Sequence, residues 1–314
     1  MSNAFNALHF TNDEAARKMI EGVRWPDGPV CPHCGVIDHS YVTKRPGVYR
    51  CAEPDCRKDF SVTTDTVMER SKIPLHKWMM GFYLMCASKK GVSAHQLHRS
   101  LGITYQSAWF MCHRIREAMK DGGLVPLGGG GSIVEADETY HGKIEGEIKH
   151  SRKRYNWKPT KGGHVGPGGK RAIVSLVERG GGVRSFHVAI ADKKTINKIV
   201  TGNIDSKTRV HTDESRLYGE VRNNFLRHET VKHSRKEYVR GDVHTNSVEG
   251  FFSIFKRGMH GVYQHCAEKH LHRYLAEFDF RYNHRSRLGI GDIDRTFAAL
   301  RGAEGKRLLY RQPS

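Results

Sequence analysis

No stretch of this chain is long and apolar enough to cross a bilayer. The longest hydrophobic run, WMMGFYLMCA at 78–87, falls well short of the roughly 20 residues a spanning helix needs. The opening text, MSNAFNALHFTNDEAARKM, lacks the compact apolar segment of a secretory leader, because its apolar residues are scattered and acids intervene. These absences lead us to expect a soluble cytoplasmic protein with no membrane partner. Acidic residues are also scarce: 33 Asp and Glu stand against 52 Lys and Arg, a formal charge of +19. Solubility does not require such an excess, so an extended polyanion is the expected partner, with nucleic acid ahead of an anionic membrane surface. No internal repeat is visible.

A disulfide framework is missing too. The seven cysteines are an odd number, and four of them lie within the first sixty residues, which suits a metal site in a reducing compartment. CPHC (31–34) and CAEPDC (51–56) form a C-x2-C and C-x4-C pair sixteen residues apart. Two such knuckles can place the thiolates of Cys31, Cys34, Cys51 and Cys56 tetrahedrally around a structural zinc ion. His33 and His39 are alternative ligands that read better as exposed side chains. Cys86, Cys112 and Cys266 sit in apolar, helical text and read as small buried hydrophobes.

The chain, 314 residues long, has room for two or three domains. Residues 1–24 read as an N-terminal helix capped by Asn12 or Asp13, and 25–70 as the zinc ribbon. Residues 71–120 form a helical module. Within it GVSAHQLHRSLGITYQSAWFMCHRIREAMK (91–120) fits a helix capped by Ser93, a turn at Gly102 and a second helix capped by Thr104. Trp109, Cys112 and Ile115 make its inner face and leave Arg114, Arg116 and Lys120 outside. That is the plan of a helix-turn-helix, whose second helix enters the major groove; an ordinary helical hairpin with a solvated basic face is the competing reading. DGGLVPLGGGGS (121–132) is the clearest linker.

Beyond the linker the text turns to strands. SIVEADETY (132–140) reads as a buried strand with acids at its far end. AIVSLV and VRSFHVAI flank ERGGG as a hairpin, KKTINKIVTGNI follows as a helix, and TRVHTDES (208–215) is a strand ending in an acid. Then HTNSVEGFFSIFKRG (244–258) reads as an amphipathic helix with Val248, Phe251, Phe252, Phe255 and Met259 on a buried face. Asn246, Glu249 and Lys256 share an adjoining stripe. The domain spans 133–290, with a tail at 291–314. It carries a basic insertion at 143–171 holding nine Lys and Arg against two Glu; Arg152, Lys153 and Arg154 there are candidate DNA contacts.

Asp137, Asp213 and Glu249 thus come from two strand ends and a helix. Three such carboxylates can hold two divalent ions about 4 Å apart, which activate a water or a 3′-hydroxyl against a phosphodiester. Mg²⁺, or Mn²⁺ in its place, suits an all-oxygen site. Glu135 is a rival, since strand alternation puts it on the same face as Asp137. The order strand with Asp, hairpin, helix, strand with Asp, helix with Glu is that of an RNase H-like core. The expected fold is therefore multidomain: zinc ribbon and helix-turn-helix, then an α/β RNase H-like catalytic domain.

Through the ribbon, ADETYHGK, HTDES, HTNSVEGFFSIFKRG and FDFRYNHR (278–285), the sequence resembles the zinc-ribbon DDE transposases of insertion sequences, the ISXO-like group. The resemblance covers nearly the whole chain. It implies binding of terminal inverted repeats, with Mg-dependent DNA cleavage and strand transfer into target DNA. It also implies Asp137 and Asp213 as metal ligands, and either Asn246 or Glu249 as the third active-site residue, followed by Lys256. Charge chemistry favours Glu249, because a carboxylate neutralises a hard dication and an amide does not. Lys256 and Arg257 are expected on the DNA backbone, and His211 and His244 could orient ligands. Holding two element ends calls for a homo-oligomer on double-stranded DNA, associated with the nucleoid. The readings to beat are a DNA-binding regulator that no longer cuts and a nuclease of the same core that never joins ends.

Overall fold

The computed structural model describes residues 6–122, 125–145 and 169–309. The chain divides into two compact units, Met1–Asp121 with His284–Ser314, and Gly122–Asn283. The basic insertion's Arg152, Lys153 and Arg154 lie outside the described residues.

In the first unit, α1 (Asp13–Arg24) begins at Asn12, whose Oδ1 accepts from the Ala15 amide at 2.9 Å. Trp25, at its end, meets Tyr49 and Phe60 edge-on, each with ring centroids 5.8 Å away. Those aromatics belong to the antiparallel ribbon β1 (Ser40–Val42), β2 (Val48–Cys51) and β3 (Asp59–Ser61). The longest apolar run becomes α2 (Leu75–Ala87), which buries Trp78, Met79, Phe82, Met85 and Cys86. Ser93 caps α3 (Ala94–Leu101), Gly102 ends it in the left-handed region, and Thr104 caps α4 (Tyr105–Ala118).

Two expectations fail in this unit. Arg114 and Arg116 do not face outward: both are buried, Arg116 to 2% exposure. The reason is that α4 packs against α2, α3 and the C-terminal helix Asp292–Arg301 at once, so its last two turns are covered all round. Arg114 donates to the Glu69 carbonyl at 3.1 Å and lies over the Phe110 ring, 4.7 Å from its centroid. Lys120 stays half-exposed but pairs with Glu117 at 2.5 Å. Residues 291–309, the described part of the expected tail, are likewise no tail. Their helix buries Ala299 and Leu300, and Arg295 donates to the carbonyls of Cys86 and His284 at 3.0 and 2.7 Å. Lys306 then caps the end of α4, donating to the Ala118 and Lys120 carbonyls.

The second unit is a mixed five-stranded sheet. It is built from β4 (Ile133–Lys143), β5 (Lys170–Glu178), β6 (Val183–Val188), β7 (Arg209–Thr212) and β8 (Arg227–Thr230), ordered β6-β5-β4-β7-β8. β4 and β5, and β5 and β6, pair antiparallel, while β7 runs parallel to both β4 and β8. Helix α5 (Lys193–Asn203) supplies Ile196 and Val200 to one face, where they meet Val134, Ala136, Val174 and Leu176. After the short β9 (Val239–Arg240) and β10 (Val243–His244) come α6 (Asn246–Gly258) and α7 (Leu271–Asn283). Val248, Phe251, Phe252, Phe255 and Met259 pack with Ile173, Val177 and α7 on the opposite face. Alternation along β4 therefore sends Val134 and Ala136 one way, and Glu135 and Asp137 towards α6.

The glycine run is only in part a linker. Leu127 exchanges backbone hydrogen bonds with Asn203 and Asp205 at 2.8 and 2.9 Å, and the Gly129 amide donates to Thr208 Oγ1 at 2.8 Å. Gly128 has φ +86°, and a Cβ there would stand 2.2 Å from Thr208 Oγ1. The close approach is why glycine occupies this position.

Candidate active site

The ribbon brings its four cysteines together. Cys31, Cys34, Cys51 and Cys56 have Sγ atoms all within 4.8 Å of one another, with Cys31–Cys56 at 3.8 Å and Cys34–Cys51 at 3.6 Å. Four thiols so disposed fit the tetrahedral sphere of a structural zinc ion and leave no open position for catalysis. His39 is not part of the cluster: its Nδ1 pairs with Glu53 at 2.8 Å.

The second unit gathers carboxylates. Asp137 is on β4, Asp213 follows the last residue of the parallel neighbour β7, and Glu249 is in the first turn of α6. Burial pushes the Asp137 carboxyl up to about 8, and the charges of Glu138, Asp213 and Glu249 push the same way. Burial also holds Asp213 above the ordinary carboxylate range; the Ser215 amide and His233 oppose it, and Glu214 and Glu249 add to it. Glu249 accepts from Thr245 Oγ1 at 2.7 Å and remains 47% exposed. Glu138 points to the other face, where burial raises its pKa and the Tyr218 hydroxyl donates to it at 2.8 Å. Asn246 and Lys256 are exposed on the same helix, with Arg257 beside them. Lys256 is close enough to His141 to help depress that imidazole, after burial, His260 and Arg171.

Such a cluster has a pH signature. Between the model-peptide value of 3.8 and about 8, folded Asp137 holds a proton that the unfolded chain has released, so stability falls as pH rises. Buried His211 and His141, lowered to about 4 from 6.5, work in the opposite direction below pH 6.5. From about pH 6.5 to 8 the acids alone should destabilise the unit. A divalent cation held by these acids would compete with those protons. Thermal unfolding should therefore show Mn²⁺ stabilising the chain little near pH 5 and increasingly up to about pH 8; an equal shift at both ends would contradict this.

Glu135, the rival to Asp137, is fully committed elsewhere. Its side chain has 0% exposure. One oxygen accepts from Arg179 Nε at 2.6 Å and Ser247 Oγ at 3.0 Å, the other from the Ser247 and Val248 amides at 2.7 and 3.1 Å. It thus caps the start of α6 from a strand more than a hundred positions earlier. Arg179 also reaches His244 Nδ1 at 2.9 Å, the His244 carbonyl at 3.0 Å, the Asp242 carbonyl at 2.6 Å and His211 Nδ1 at 3.3 Å. Sequence reasoning missed Arg179, Ser247 and Tyr218. Strand alternation had flagged Glu135, but nothing local identified its partners.

The ribbon and the α/β unit each match a known domain family. Residues 126–283, half of the chain, match the ISXO2-like transposase domain, and residues 11–59 match the transposase zinc-ribbon domain. The chain belongs to the ISXO2-like transposase family. It is also 27% identical, over 279 residues, to an uncharacterized protein in the transposable element ISH50 of Halobacterium salinarum, covering 87% of this chain and 91% of that one. Among the described residues no helix is long and apolar enough to cross a membrane.

Proposed function

We propose that the chain is a DDE-type transposase of an insertion sequence. In this reading it binds terminal inverted repeats and, with Mg²⁺, cleaves DNA strands and joins the 3′ ends to target DNA, working as an oligomer at the nucleoid. The observation that carries this reading is the meeting of Asp137, Asp213 and Glu249 from β4, β7 and α6, in the unit matched by the transposase domain. The strand and helix order around them is read as RNase H-like.

The donor set fits hard divalent cations. All three groups are carboxylates, burial and neighbouring acids disfavour the charged forms of Asp137 and Asp213, and nearby positive charge relieves both effects. Ions held there would supply Lewis-acid polarisation of the scissile phosphate and activation of the attacking hydroxyl. The side chains hold charge and position: Asp137 and Asp213 from the rigid sheet, Glu249 from the helix, and Lys256 and Arg257 on the DNA backbone beside them.

DNA reading is assigned to the first unit, as a zinc ribbon followed by a helix-turn-helix. Arg114 and Arg116 are not available for it. The exposed basic face of the ribbon is: Lys44, Arg45 and Arg50 flank Tyr41, with Arg45 and Arg50 sharing Asp59. Such charges contact phosphates and fix register.

The third ligand is testable by charge. Glu249→Gln should lower strand joining about a hundredfold or more, as loss of a few kcal/mol of transition-state stabilisation implies, and Asn246→Ala should cost about tenfold or less. The reverse order, measured on a terminal-repeat duplex with Mg²⁺, would transfer the role to Asn246.

A further inference from the structure

The three acids sit on elements distant in sequence, and one buried cluster touches all three elements. We propose that Glu135 and Arg179 form a positioning hub that holds Asp137, Asp213 and Glu249 in register for divalent cations without touching the cations themselves. This rests on the reading that those acids are the metal ligands.

Three observations support it. Glu135 lies two residues before Asp137 on the same face of β4, so the two carboxylates share one rigid strand segment. Its oxygens accept from the Ser247 and Val248 amides, and the residue after Val248 is Glu249. Any movement of Glu135 therefore moves the first turn of α6, and Glu249 with it. Arg179 closes the third side through His211, two residues before Asp213. His244 Nδ1, also held by Arg179, accepts from the Asn246 amide at 3.3 Å and so ties down the entry to α6.

Glu135 is unsuited to be a ligand itself. It is excluded from solvent, and both its oxygens already receive two donors each. A carboxylate can accept from guanidinium and amides together. Glutamine in its place would turn an NH2 group towards N–H donors, and the cap would open. Lysine in place of Arg179 would keep the charge and lose the fork that reaches Glu135, His211 and His244 simultaneously.

The test is Mn²⁺ affinity of the full-length chain by calorimetric titration, with zinc content and thermal unfolding as controls of folding. Glu135→Gln and Arg179→Lys should each weaken Mn²⁺ binding about 10- to 100-fold, the usual effect of removing the groups that orient ligands. Ser247→Ala deletes one hydroxyl contact and keeps both amide bonds, so it should fold normally and show a smaller loss in the same direction. Wild-type Mn²⁺ affinity in folded Arg179→Lys and Ser247→Ala proteins would overturn the hub. Asp137→Asn separates the two ideas: if it too binds Mn²⁺ like the wild type, the acid assignment itself has failed.

Discussion

Asp137→Asn should make the chain more heat-resistant in the absence of divalent metal and should abolish DNA strand joining. The two effects have one cause. Burial and the charges of Glu138, Asp213 and Glu249 push the Asp137 carboxyl up to about 8, so its ionised form is a source of strain above neutral pH. An amide of the same shape does not titrate, so the variant's stability advantage over the wild type should grow from about pH 4 and be complete near pH 8. The same change deletes one of the proposed anionic ligands. Loss of about 4 kcal/mol or more of metal-mediated stabilisation lowers the rate about a thousandfold or more. Stabilisation of the variant by Mn²⁺ should shrink in parallel. A variant that is less stable than the wild type at pH 8, yet still joins ends, would refute both halves.

Removing zinc should have the largest structural effect. The ribbon has three short strands, four residues at most, and a small aromatic group of Trp25, Tyr49 and Phe60. So little apolar burial cannot hold a fold of this size alone. Zinc binding to thiolate sites of this kind is worth about 10–16 kcal/mol at neutral pH and is itself folding energy. Cys31→Ser or Cys51→Ser, each altering a buried ligand, should reduce bound zinc from one ion per chain to none. Proteolysis should then cut within the ribbon, and affinity for terminal-repeat DNA should fall to a non-specific level. The acids of the second unit should still bind Mn²⁺, because no zinc ligand belongs to that unit. Full zinc content in either variant would show that the quartet is misassigned.

Much of this was legible in the sequence because the signals are local. Cysteine spacing located the cysteine cluster, and the three- and four-residue period of Val248, Phe251, Phe252, Phe255 and Met259 gave the buried face of α6. Asp213 directly follows β7 as expected, but Asp137, expected at a strand end, falls mid-strand because β4 continues to Lys143 through its pairing with β5. What escaped depends on partners far along the chain. A helical wheel credits α4 with one buried side, and nothing in 105–118 tells that the C-terminal helix covers another. For the same reason Arg114 and Arg116 read as surface cations. The glycine run reads as a linker because its composition is that of one; Leu127 docks on the Asn203–Asp205 turn only once α5 and β7 exist. Glu135 could not be told from a metal ligand by alternation, since its donors lie 44, 112 and 113 positions away.

The central claim is that Asp137, Asp213 and Glu249 together support divalent-metal-dependent joining of DNA ends. The direct measurement incubates the purified chain with Mg²⁺, a duplex ending in the element's terminal repeat and a plasmid target, and resolves joined from hydrolysed products. Joined 3′ ends with the wild type, and none with Asp137→Asn, Asp213→Asn or Glu249→Gln, is the expected result. Joining that survives in any of the three variants, or a wild type that only hydrolyses the duplex, would contradict it.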